Sequence, residues 1–257
     1  MWLFLNWFSE AIQKDPSRII PRPAVVWTPF FLSLLLCARE GTGAVVFLIV
    51  FTLTIAAYPW KAKSPVLGPL GPILRGITIL THALLIIAYV DGFRRLSCDA
   101  MYVVGFLALL HVARNLVGDI RDMEKDQYEL PARFGFRVSY NVVRVILGSS
   151  LVVAWFTNVF YPALVVPLIV QWLGLEFLAV AYRGNNTHLV GYVGHRLFVI
   201  TYTCAQIGVC KSVGIAPSTC WVLSAILVCL QLSYRHTPGK TYPAWKEVFS
   251  QAFLPAT

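Results

Sequence analysis

The sequence predicts an all-α fold, a polytopic transmembrane helical bundle of about eight spans preceded by a partial N-terminal helix. Three observations predict it. Of 257 residues, 58% are hydrophobic and 13% charged, against about 25% charged in an average soluble domain, and mean hydropathy is +0.68. Apolar runs approaching or reaching the thickness of a bilayer recur at 24–38, 41–57, 72–90, 99–118, 137–156, 160–182, 193–213 and 217–234. Basic residues also segregate: with alternate connections assigned to opposite sides, all but Arg39, Arg94, Arg95 and Lys211 of the 21 Lys and Arg residues fall on one side.

Residues 1–14 read as the tail of another helix. Met1 to Phe8 has neither the basic start nor the small-residue cleavage site of a signal peptide. The first two runs are short for a bilayer and read as a broken or tilted pair; the later ones reach a full span. Backbone groups in lipid must be satisfied within the segment, and the strict alternation of a lipid-exposed barrel is missing, so each run is expected to be a helix. The basic side is expected to be cytoplasmic and to carry the 58–66 and 119–137 loops, with 91–98 opposite. The net charge of +9 then reads as topology and attraction to anionic lipid in the bilayer. No nucleic-acid motif accompanies it, and no nucleic-acid partner is expected. Cys37, Cys204, Cys220 and Cys229 lie inside apolar runs and no CxxC pair occurs, so the cysteines read as small buried hydrophobes, not disulfide or zinc ligands.

The stretch carrying chemistry is Arg114 to Asp126. Asn115, Asp119, Asp122 and Asp126 are spaced to share one face if the helix continues through them, and His111 extends that face one turn inward. Crowded carboxylates repel and need a positive partner. A solvated helix end paired with Arg114, Arg121 and Lys125 is one reading. The other is Mg²⁺, a hard ion that bridges a few carboxylates to substrate phosphates.

The run RNLVGDIRDMEKDQ resembles the second aspartate-rich motif of the UbiA superfamily of intramembrane aromatic prenyltransferases, with Asp119, Asp122 and Asp126 at its three acidic positions, Arg114 at its leading base and Glu124 at its additional acid. LPARFG at 130–135 resembles the L-P-x-x-x-G continuation of that family, and YPWKAK at 58–63 its tyrosine and basic loop. Departures are plain. KDPSRIIPRP keeps Pro16, Arg18 and Pro21 of the first motif's tail, but Phe4, Trp7 and Ala11 stand where its aspartates belong, and Asn115, Gly118 and Lys125 replace a customary Glu, Lys and Gly. The chain is thus expected to be one UbiA-like domain over 1–257, without the family's first helix and part of the second.

The resemblance implies a Mg²⁺-dependent prenyltransferase that moves an isoprenyl group from an isoprenyl diphosphate to a small, aromatic acceptor. It makes Asp119, Asp122 and Asp126 the metal ligands and catalytic residues, with Arg18, Tyr58, Lys61, Lys63, His111, Arg114, Asn115 and Arg121 on the substrates. Metal and bases would stabilise the charge developing on the diphosphate as its C–O bond ionises. A terpene cyclase of the same superfamily is the near alternative; a non-catalytic scaffold or transporter is the alternative from another class. His82, Glu176 and Gln206 are expected to face the interior of the bundle, as packing groups or pocket lining.

Overall fold

The computed structural model describes residues 23–91, 98–123 and 126–156, isolated helical positions between 169 and 229, and two short strands at 236–237 and 240–241. The expected partial helix at 1–14, Arg18 and the expected span at 193–213 lie outside the described residues. The described helices are α1 (Pro23–Glu40), α2 (Thr42–Ala57), α3 (Gly71–Asp91), α4 (Cys98–Asp122) and α5 (Leu130–Phe156). A 3-10 turn, Tyr58–Lys63, follows α2, and strands β1 (His236–Thr237) and β2 (Lys240–Thr241) pair antiparallel.

Gly41 separates α1 from α2 alone, with φ 120 and ψ 171, a conformation side chains disfavour. This resolves the short pair of runs into two helices with a one-residue break. Their faces meet around Cys37, Ala44, Leu48 and Ala88, against which Phe30 and Leu85 pack. α2 then lies on α3, where Phe51 stacks on His82 at 5.2 Å between ring centroids. Their polar atoms are satisfied locally: Thr54 donates to the Phe51 carbonyl at 2.9 Å and accepts from Thr78 at 3.2 Å.

α3 and α4 come close together at Gly76. A Cβ at Gly76 would overlap the Val112 side chain and lie 3.3 Å from the Ala108 carbonyl oxygen, so glycine lets the two backbones meet. α4 also packs on α5, whose buried residues Ser139, Tyr140, Val143, Leu147 and Ser150 recur at helical spacing. Gly135, at φ 83 and ψ 166, breaks the first turn of α5 from its main body. The outer faces of α1 and α5 are apolar: Leu32 and Leu35 on one, Val145, Trp155 and Phe156 on the other, are exposed.

Two expectations are corrected. The described fold is all-α with five α-helices, not an eight-span bundle. Among the described residues, two segments, Thr42–Lys61 and Met101–Asp122, are long and apolar enough to cross a bilayer, with a shorter apolar helix over Gly71–Leu85. That is generic membrane-like character and weak support for crossing, since core helices of water-soluble proteins pass the same test, and more than half of the second segment is buried against its neighbours. The expectation of a multi-pass integral membrane protein with a cytoplasmic aspartate-rich loop is corrected accordingly. Cys37 is buried as expected, whereas Cys98 and Cys229 are exposed.

Candidate functional site

Pro59 shapes the site. It has no N–H to continue the α2 ladder, and the chain tightens into the 3-10 turn Tyr58–Lys63. At three residues per turn, Tyr58 and Lys61 fall on one face and Trp60 and Lys63 on another. The first pair is buried, with the Lys61 ammonium 4.9 Å from the Tyr58 ring centroid. The second is exposed, with Lys63 5.9 Å from the Trp60 ring. Gly71 makes room for the inward lysine: a Cβ there would lie 2.7 Å from Lys61 Cδ.

The Lys61 ammonium is 2.7 Å from Asp119 Oδ1 and 2.5 Å from Glu129 Oε1, and all three side chains are at most 4% exposed. Asp119 comes from α4. Glu129 comes from the connection to α5, where Pro131 prevents a continuous helix through the preceding residues. The Glu129 carbonyl accepts the Arg133 N–H at 3.1 Å, starting the new helix. Burial first, then the Asp119 charge, pushes the Glu129 carboxyl up to about 8, with Lys61 pulling the other way. Asp119 Oδ2 is buried and has no hydrogen-bond partner among the described residues.

The face of α4 above Asp119 continues the polar group. Tyr58 donates to Asn115 Oδ1 at 3.2 Å, and Asn115 Nδ2 donates to the His111 carbonyl at 2.8 Å. Arg75, from α3, sits 3.7 Å over the Tyr58 ring. Beside this cluster the 58–70 loop and the 123–133 connection are joined directly. Arg133 donates to the Pro65 carbonyl at 2.7 Å, and a Cβ at Gly68 would overlap the Tyr128 carbonyl.

The structure therefore gathers Tyr58, Lys61, His111, Asn115 and Asp119 of the expected site, with Arg114 on the same helix. It keeps Asp119 and Asp122 on one helix, three residues apart, and leaves Asp126 beyond its end. α4 ends at Asp122, and Asp126 follows in the connection, its N–H 3.2 Å from the Asp122 carbonyl. Asp122 is held by Arg121, at 3.2 Å from Nε and 2.5 Å from Nη2. Among the described residues no group of three or more His, Cys, Asp or Glu is placed to hold a metal ion. The expectations of Mg²⁺ as cofactor and of a Mg²⁺-dependent UbiA-family enzyme are corrected on that ground; two of the three expected ligands, Asp119 and Asp122, are paired with Lys61 and Arg121. Magnesium, prenyltransfer and isoprenoid or terpene biosynthesis likewise gain no support from the described side chains.

Sequence reasoning missed Glu129 and Arg75. Glu129 had a signal, an acid directly before Leu-Pro, a pair suited to a helix start; Arg75 had none beyond its charge. Comparison with family models, with curated proteins and with solved structures finds no match to this chain.

Proposed function

We propose that this chain is a non-catalytic helical scaffold, in which the polar residues at the loop end hold helices and loops in register. The observation that carries this is the Lys61, Asp119 and Glu129 cluster: three charged side chains from three segments, closed from water and committed to one another. A lysine so engaged has its ammonium shared between two acids and is closed off from solvent by its own burial. The same holds in weaker form for Asp122, which accepts two bonds from Arg121. The exposed apolar faces of α1 and α5 give such a scaffold surface for apolar surroundings.

The test is direct. Purified full-length protein is incubated with isoprenyl diphosphates of several chain lengths, with and without Mg²⁺ and an aromatic acceptor, and products are analysed by mass spectrometry. The expected result is no product above hydrolysis background in any combination. Turnover that disappears in Asp119→Asn would overturn the scaffold reading.

A further inference from the structure

We propose that the Lys61, Asp119 and Glu129 cluster is a one-proton latch, which holds the 58–70 loop against the 123–133 connection when protonated and loosens that joint in alkaline solution. The proposal rests on reading the cluster as a structural joint, and on a count of charges. Two buried carboxyls share one ammonium. With one acid protonated the group is neutral; with both ionised it holds an excess negative charge away from water, which is costly. Asp119 and Glu129 meet on the same ammonium, and both leave buried carboxyl oxygens without a hydrogen-bond donor among the described residues, so one shared proton adds a donor where none is present.

Among the described residues the surrounding groups do not remove the imbalance. From the connection, Asp126 adds negative charge near Glu129. On α4, Asp122 bonds to Arg121. From α3, Arg75 stacks on Tyr58, on whose ring the Lys61 ammonium also lies. From α5, Arg133 bonds to the Pro65 carbonyl. The joint spans residues about sixty apart in sequence, so loss of the proton acts on a long-range closure and not on a local turn.

The sign follows from the raised carboxyl. Glu129 moves from 4.5 to about 8, so the stability its proton confers is complete below about pH 4.5, declines as pH rises, and is gone once pH passes about 8.

Hydrogen exchange on the full-length protein tests this, following backbone amides of 58–70 and 126–133 from about pH 6 to 9, each corrected for its intrinsic rate. Protection is expected to fall with rising pH, approaching about tenfold per pH unit, the limit for one linked proton. Glu129→Gln keeps a donor and cannot ionise, so its profile should be flat; equal pH dependence in the two proteins, or a flat wild type, would overturn the latch. Infrared spectroscopy of the wild type guards against a misfolded variant: a protonated carboxyl band at neutral pH that bleaches in alkali is required, and its absence also overturns the proposal. Turnover of an isoprenyl diphosphate would overturn the scaffold reading without altering these profiles, so the two failures are distinguishable.

Discussion

The α3–α4 contact and the Lys61 joint both bring distant backbone together, but by opposite means. At Gly76 the approach depends on a missing side chain: nothing charged is involved, and the van der Waals fit against Val112 and Ala108 sets the distance. At Lys61 it depends on a long side chain that crosses a gap and is neutralised on the far side by Asp119 and Glu129. The first contact fails when atoms are added, the second when a charge is taken away. Burial alone therefore does not say which substitutions a site tolerates.

Lys61→Met sharpens this contrast most. It leaves two acids buried without their cation, and breaking such a cluster costs about 3–5 kcal/mol. The Lys61→Met, Asp119→Leu, Glu129→Leu combination removes the charges together and should recover most of that loss, as chemical denaturation of the three proteins would show. A triple variant as unstable as the single one would break the charge account of the joint. Gly76→Leu tests the steric side, with an expected cost of about 1–3 kcal/mol from overpacking and no dependence on salt or pH. Gly135→Ala isolates the backbone, because nothing lies within 4 Å of an added Cβ and only the positive φ resists it. Its cost of about 1–3 kcal/mol should appear in the melt without any change in helix packing. Arg121→Ala removes a pair that is about one-fifth exposed. It should cost at most about 1 kcal/mol, less at high salt.

Much of the helix placement was legible. The runs at 24–38, 41–57, 72–90 and 99–118 sit on α1 to α4, and the run at 137–156 begins just past the Gly135 break in α5. Apolar composition marks such helices because each hides at least one face. It does not say whether lipid or protein covers the others, which is why the eight-span membrane bundle overreached. The aspartate spacing holds for Asp119 and Asp122, three residues apart on α4, and stops short of Asp126 because the helix ends at Asp122, ahead of the new start beside Pro131. The partnership of Lys61 with Asp119 was illegible because the two are 58 residues apart. Lys61 had been assigned to a diphosphate through the resemblance of YPWKAK to a basic loop, and a basic residue in a short motif does not say which anion it meets.

Consecutive helices pack in chain order, α1 on α2, α2 on α3, α3 on α4 and α4 on α5. Contacts between sequence neighbours close small loops and form early, whereas the tie between the 58–70 and 123–133 segments must await all of the helices between them. We therefore predict that the joint closes after the neighbouring helix contacts have formed. Substitutions there are expected to leave the refolding rate nearly unchanged and to shorten the lifetime of the native state, so that the buried lysine governs how long the fold endures more than how fast it arises.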